Sequence, residues 1–266
     1  HEVYNRNRQH LRARGVILPT LSHLANPNQH LKKEIALISK IDPDCPDPAN
    51  LFRIHWYNNT QRNQLASVPE HVVLNTHLTG VDTNIIVVLG NRFPMIRAHK
   101  VLAAYACLVP KIVTGNFDLL NDRAIWPSTG NYCRGGVAIS RILGCRNLAV
   151  LPEGMSAERF DWLKDWIIEP SGILRTPGTE SNVKEIYDAC NKLEKDSNNV
   201  VFNQFSEYGN YIIHRAVTGP ALESVFNAVN YNNNLVARAY IAASGSAGTL
   251  AAGDHLKEKF GTSICV

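Results

Sequence analysis

No two of the six cysteines, Cys45, Cys107, Cys133, Cys145, Cys190 and Cys265, form a CxxC pair, and no Cys/His grouping has zinc-ligand spacing. Several stand in apolar runs, where Cys behaves as a small hydrophobe. This usage reads as a reducing, cytoplasmic setting, with no structural metal expected. No apolar run approaches the roughly 20 residues that a membrane-spanning helix needs, so no membrane role is expected. Low-complexity segments and internal repeats are absent. Charge of one sign is scarce: 27 Lys and Arg stand against 23 Asp and Glu, a net +4. That favours small anions as ligands and is too weak to argue for nucleic acid. The first fifteen residues are polar, with Arg6, Arg8, Arg12 and Arg14, so no secretory signal is expected there. Those arginines read as a solvated helix face in preference to a basic arm. The chain opens on His1 instead of Met, which suggests that a few residues precede it.

What remains is an ordinary globular composition, 45% apolar and 19% charged over 266 residues. The length fits one large domain or two modest ones. Residues 1–66 read as an N-terminal extension, with a helical stretch at Leu31–Ser39 and a proline-rich break at "DPDCPDPAN". Beyond it, strands and helices alternate. "TNIIVVLG" (83–90) reads as a buried strand and "KVLAAYACL" (100–108) as a helix. "NLAVLP" (147–152) reads as a strand. "SAERFDWLKDWI" (156–167) is a helix with Ser156 as N-cap, and "SNVKEIYDACNKLEK" (181–195) is a helix opened by Ser181. "ARAYIAAS" (237–244) and "TSICV" (262–266) read as strands flanking the helix "TLAAGDHLKEKF" (249–260). Such alternation implies an α/β fold with mostly parallel sheets and helices on both faces.

Three segments could carry chemistry. "SGSAGTLAAG" (244–253) joins a strand to a helix with almost nothing but Gly, Ala, Ser and Thr. Such a turn lets backbone N–H groups converge on a phosphate ester at a helix N-terminus, or simply lets a helix meet a sheet closely. It lacks the Walker lysine and the GxGxxG spacing. Lys100 opens an apolar helix, either as a lysine that snorkels to the surface or as an amine held in an apolar site with a lowered pKa. "PSTGNYCRGG" (127–136) offers Ser128, Thr129 and Asn131 just before a buried-looking helix, suited to a carboxylate or to plain capping. Each signal is weak alone. Together they name pyridoxal phosphate, which needs a lysine, a phosphate cup and a polar floor for the substrate carboxylate.

In the order and spacing of five motifs the chain resembles the cysteine synthase and cystathionine β-synthase branch of the fold-type II pyridoxal-phosphate enzymes. "TGVDTNIIVVLGNRFPMIRAHK" resembles the approach to the Schiff-base lysine, and "PSTGNYCRGGVA" the asparagine loop. "LPEGMSAERFDWLKDW" is similar to the M-P-x-x-M-S-x-E-R segment. "FNQFSEYGNYIIHRAVTGPAL" resembles the Q-F…H…T-G-P segment, and "GSAGT" the phosphate loop. The resemblance covers residues 68–266. It implies two three-layer α/β/α domains, tryptophan synthase β-like. Residues 67–104 and 211–266 would belong to the large cofactor-binding domain and 105–210 to a smaller mobile one. Family members continue past the phosphate loop, so the C-terminal part and its partner for the pyridine nitrogen are expected to be missing.

The resemblance also implies roles. Lys100 would bind the cofactor and shuttle the Cα proton. Asn131 would bond its phenolic oxygen, and Gly245, Ser246, Ala247, Gly248 and Thr249 would hold its phosphate. Ser128, Thr129, Gly130 and Gln204 would bind the substrate carboxylate, and His214 would pack or cap near a domain hinge. The implied activity is β-replacement on an O-activated serine through aminoacrylate, by a homodimer acting on an amino acid and a nucleophilic co-substrate. β-Elimination and a non-catalytic binding protein are the alternatives. Arg97 and Arg134 stand where relatives have small residues; either they serve an anionic leaving group or nucleophile, which argues against sulfide, or both face solvent. A haem in the extension would have Cys45 and His55, whose spacing matches no haem signature.

Overall fold

In the strands 123–127 and 146–152, alternate residues face opposite ways, and both faces are apolar. Ile125, Leu148 and Val150 point to one side and pack with Ile186 and Cys190 of a helix, Val183–Leu193. Ala124, Trp126, Ala149 and Leu151 are buried on the other, where the helix Asn131–Leu143 packs. Burial on both faces is the signature of a parallel sheet covered by helices. The computed structural model bears this out with four parallel strands in the order Ile173–Thr176, Arg146–Pro152, Arg123–Pro127 and Asn199–Val201. It describes all residues except Lys32, Pro170, Ser244 and Val266, and not the side chains of Ile264 and Cys265. Ser244 and Val266, read above as ends of strands, therefore lie outside the described residues.

The chain divides into two compact units. The first comprises His1–Leu18, Pro46–Pro48 and Lys100–Asn210, and contains the four-stranded sheet. Helix Glu2–Ala13 belongs to it. Its buried Asn7 donates to the carbonyls of Ile112 and Phe117 at 3.0 and 2.7 Å and accepts from the Leu119 amide at 2.9 Å. Arg6 pairs with Asp118 at 2.7 Å. Arg14 donates to the carbonyls of Arg141 and Ile142, while the His10 ring meets the Leu143 carbonyl at 3.1 Å. These groups cap the C-terminal end of Asn131–Leu143, where orphan carbonyls and the helix dipole favour donors and positive charge. Of the four early arginines, Arg8, Arg12 and Arg14 are exposed, and Arg6 is half-buried against Asp118.

The second unit comprises Pro19–Cys45, Ala49–His99 and Tyr211–Val266. The first 66 residues are thus shared between the two units. Strands His71–Leu74 and Ile85–Val88 pair antiparallel, and Ala239–Ile241 pairs parallel with Ser263–Cys265. The run "TNIIVVLG" differs from its reading as a buried strand. Ile85 and Val87 are exposed, because the pair has no helix covering that face among the described residues. Ser156 occupies its N-cap position without a side-chain cap bond, and the next helix is opened by Asn182 instead of Ser181. Among the described residues no helix is long and apolar enough to cross a membrane.

The two glycines that end "PSTGNYCRGG" have steric jobs. A Cβ on Gly135 would lie 3.0 Å from the Cα of Val101 and 3.1 Å from the carbonyl oxygen of Lys100. A Cβ on Gly136 would fall 1.9 Å from the Trp126 indole. The helix Asn131–Leu143 can lie against helix Lys100–Thr114 and against Trp126 only because both side chains are missing. Gly136→Ala is therefore expected to destabilise the fold by about 1–3 kcal/mol or more through overpacking. Chemical denaturation of both proteins measures it; an unchanged midpoint would contradict the packing.

His55 is fully buried, and desolvation lowers its pKa to about 3, against hydrogen bonds that favour the charged form. Its Nδ1 accepts from the Tyr57 amide at 3.1 Å. The folded value lies below the ordinary one, so between about pH 6.5 and 3 the unfolded chain takes up a proton that the folded chain refuses. Stability should fall as pH drops through that window, by up to about 1.4 kcal/mol per unit from this group. Denaturation between pH 7 and 5 should give a shallower slope in His55→Gln than in the unsubstituted protein; equal slopes would assign the loss to other groups.

Candidate active site

Lys100 is the first residue of helix Lys100–Thr114 and is half-buried. Its Nζ donates to Oε1 of Gln204 at 3.0 Å, joining positions 104 apart in the chain. Burial lowers the pKa of this amine, while Cys107 on the same helix acts in the opposite sense. The partner is a neutral amide, which orients the amine without a carboxylate's pull toward the charged form.

Gln204 follows the edge strand Asn199–Val201, and Ser128 and Thr129 follow the strand Arg123–Pro127. All three line one open cleft of about 410 Å³ within the first unit. The Ser128 hydroxyl accepts from the Gly130 amide at 3.3 Å, which tightens the turn into helix Asn131–Leu143. Gly130 is the N-cap of that helix and supplies no side-chain cap, so the first-turn N–H groups are not met by their own cap residue. Asn131 is exposed at the head of the helix, with Arg134 one turn on. The structure thus gathers Gln204, Ser128 and Thr129 around one cleft, joins Lys100 to it through Gln204, and places Gly130 and Asn131 next in the chain after Thr129.

Sequence reading missed other members of the cleft wall: Glu180, Tyr187, Asn203 and Phe205. A signal for them existed. In parallel sheets, ligands bind beyond the carboxyl ends of the strands. Residues 128–129, 180 and 203–205 all follow such ends. Sequence reading also missed Arg159. Its guanidinium lies 3.8–3.9 Å from where a Cβ on Gly130 would stand.

The small-residue loop is built within the second unit. Gly245 is exposed, and a Cβ there would meet nothing within 4 Å. Ser246 is buried, extended, and N-caps helix Ala247–Phe260 without a side-chain cap bond. Thr249 lies in the first turn, its amide donating to the Ser246 carbonyl. Gly248 differs from Gly245: its Cβ would fall 2.4 Å from the His214 ring. His214 is buried in the π-turn His214–Thr218. Its Nδ1 meets the Thr218 hydroxyl at 2.8 Å, and that hydroxyl also accepts from the Trp56 indole N–H at 2.8 Å. His99 stacks on Trp56 and sets its edge against His214. His214 therefore packs as a floor under the loop.

Arg97 is exposed and its charge is met by Asp44 at 3.0 Å, which also pairs with Arg62. That ion pair removes the reason for assigning Arg97 to substrate, whereas Arg134 has no such partner among the ion pairs described. Among the described residues no group of three or more His, Cys, Asp or Glu could hold a metal ion.

These features fit pyridoxal phosphate. Within the first unit, a half-buried amine of lowered pKa and a polar cleft match a carbonyl and an amino-acid carboxylate; within the second, a helix N-terminus behind a loop of small residues matches a phosphate ester. No family model matches the chain. It is 32% identical over 139 residues to the cystathionine beta-synthase of Saccharomyces cerevisiae, covering 51% of this chain and 26% of that protein. It is 28% identical over 140 residues to a cysteine synthase of Staphylococcus aureus, covering 52% and 42%. A solved hydrogen sulfide-producing enzyme from Fusobacterium nucleatum shares the fold with a TM-score of 0.60 at 20% identity, over 79% of this chain and 62% of that one. The chain therefore spans less than half the length of these curated relatives. The fold is that of a fold-type II enzyme. Over about half its length, the chain is similar in sequence to cysteine synthases and to cystathionine beta-synthase.

The two loop glycines should separate in a stability measurement. Gly248→Ala forces the His214 ring aside and is expected to cost about 1–3 kcal/mol. Gly245→Ala has open space and should stay within about 0.5 kcal/mol of the unsubstituted protein. Denaturation curves for the pair decide it; equal losses would contradict the His214 contact.

Proposed function

We propose that the protein uses pyridoxal phosphate to replace the β-substituent of an L-amino acid of the O-activated serine type. The observation that carries this reading is the Lys100–Gln204 bond at 3.0 Å, beside a cleft that Gln204 shares with Ser128 and Thr129. When bound, the cofactor supplies an electron sink for the pair left at Cα once its proton departs. The chain's own groups do the rest. Lys100 tethers the cofactor and, freed by substrate, takes the Cα proton; its lowered pKa raises the neutral fraction that can act as a base. Ser128, Thr129 and Gln204 donate to the substrate carboxylate. Asn131 would bond the phenolic oxygen, and the amides of Gly245, Ser246, Ala247, Gly248 and Thr249 would hold the phosphate.

The reaction balances without an oxidant. The β-carbon bond to the leaving group breaks with its electron pair going to that group. A nucleophile's lone pair forms the new bond at the same carbon, and Lys100 returns the proton to Cα.

The purified protein incubated with pyridoxal phosphate should turn yellow. Borohydride should bleach it and fix the cofactor at Lys100, as read by peptide mass. Lys100→Ala should stay colourless and lose turnover by about a thousandfold or more. A colourless unsubstituted protein, or label on a different lysine, would overturn the reading. Quantifying pyruvate with and without an added thiol separates replacement from elimination.

A further inference from the structure

Arg134 and Arg159 lie beside the asparagine-loop turn, and neither is in an ion pair among the described residues. Arg134 lies in the first turn of helix Asn131–Leu143, and Arg159 in the first turn of helix Ala157–Trp166. A positive side chain at a helix N-terminus opposes the dipole. Neither N-terminus has a side-chain bond from its N-cap residue. The guanidinium of Arg159 sits 3.8–3.9 Å from the Cβ position of Gly130, against the asparagine-loop turn. Its described hydrogen bond goes to Met155 Sδ at 3.9 Å, a weak acceptor. Arg134 lies over the Trp162 ring at 4.7 Å and reaches Asn131 Oδ1 by a long bond of 3.5 Å. Its Nε is buried with no hydrogen-bond partner. Burial lowers the pKa of Arg134; Glu158 opposes this and the charge of Arg159 adds to it. Neither arginine has a carboxylate within ion-pair distance among the described residues, in contrast with Arg6, Arg62, Arg92, Arg97, Arg146 and Arg215.

We propose that Arg134 and Arg159 form a receptor for an oxyanion carried by the substrate, a phosphate or sulfonate on the departing β-substituent or on the incoming nucleophile. This rests on the β-replacement reading above and names its substrate class. The Arg159 guanidinium lies against Gly130 and Arg134 reaches Asn131, so both bring positive charge to the asparagine-loop turn. Stacking on Trp162 holds one fork in a fixed orientation, which reduces the ordering cost of binding. The amino-acid carboxylate is served separately by the cleft of Ser128, Thr129 and Gln204.

Calorimetric titration with O-phospho-L-serine and O-acetyl-L-serine, in the unsubstituted protein and in Arg134→Gln and Arg159→Gln, tests this. A parallel titration with sulfite and a neutral thiol locates the anion on the nucleophile instead. The unsubstituted protein should bind one of the two charged compounds about tenfold or more tightly than its neutral counterpart. Each Gln variant should lose about tenfold of that preference and keep its neutral affinity, as expected for a charge-assisted bidentate contact. Arg134→Lys and Arg159→Lys should recover part of it, and they serve where a Gln variant lowers the melting midpoint. No preference in the unsubstituted protein, or a preference that survives both Gln substitutions, overturns the proposal. A yellow protein that binds O-acetyl-L-serine without preferring the charged compounds would lose the arginine receptor alone. A colourless protein that binds neither amino acid would lose the parent reading as well.

Discussion

The first unit depends on a contact between two backbones. Helix Asn131–Leu143 approaches helix Lys100–Thr114 at Gly135 so closely that a Cβ there would lie 3.1 Å from the Lys100 carbonyl oxygen. One residue on, Gly136 lies flat against Trp126. A backbone contact has no rotamers with which to absorb an error, so it fixes the two helix starts more tightly than side-chain packing could. Those starts carry Lys100 and Asn131. Trp126 transmits the same constraint further. Its indole donates to Ser140 at 3.0 Å and stacks on Phe202, two residues ahead of Gln204. The lysine, the asparagine loop and the glutamine that holds the amine are thus referred to one frame, although they come from three separate stretches of chain.

The sequence was most legible where local pattern and burial agree. The runs "NLAVLP" and "KVLAAYACL" carry their periodicity on their own residues and form the strand and helix expected of them. Legibility failed where a partner far along the chain decides the outcome. "TNIIVVLG" is as rich in β-branched residues as a buried parallel strand, yet it pairs antiparallel with exposed side chains. A β-branched run does not encode what covers it. Ser156 takes the expected N-cap position, without a side-chain bond, whereas Asn182 replaces Ser181 as the cap, because cap chemistry depends on a turn geometry that composition does not fix. Arg97 and Arg134 were indistinguishable as departures from a family pattern. The difference between them is Asp44, which stands 53 positions from Arg97.

The phosphate loop shows how two residues of one type can answer to different demands. "SGSAGTLAAG" read equally as a ligand cup or as close packing. At Gly248 the packing demand is visible, because His214 occupies the space of a side chain. At Gly245 no such neighbour exists, so steric exclusion by the protein does not account for that glycine. The approach of a ligand to the backbone would account for it. His214 in turn is placed by Thr218 and bordered by His99, which immediately precedes Lys100 in the chain. The motif approaching the lysine and the motif of the phosphate loop are therefore packed through one histidine within the second unit.

The partner of Lys100 is the last constraint, and its neutrality matters. A carboxylate at 3.0 Å would satisfy the same hydrogen bond but stabilise the ammonium, raising its pKa and reducing the neutral fraction. Gln204 supplies an oxygen of the same reach with no net charge. Burial then acts with little opposition and the amine is held down from its ordinary value. The arginines follow the reverse logic. Arg97 and Arg62 are met by Asp44, while Arg134 and Arg159 have no carboxylate within ion-pair distance among the described residues. In the first unit, the Lys100 amine is held by an amide, while the guanidinium of Arg159 lies against the turn at Gly130 and Arg134 reaches Asn131.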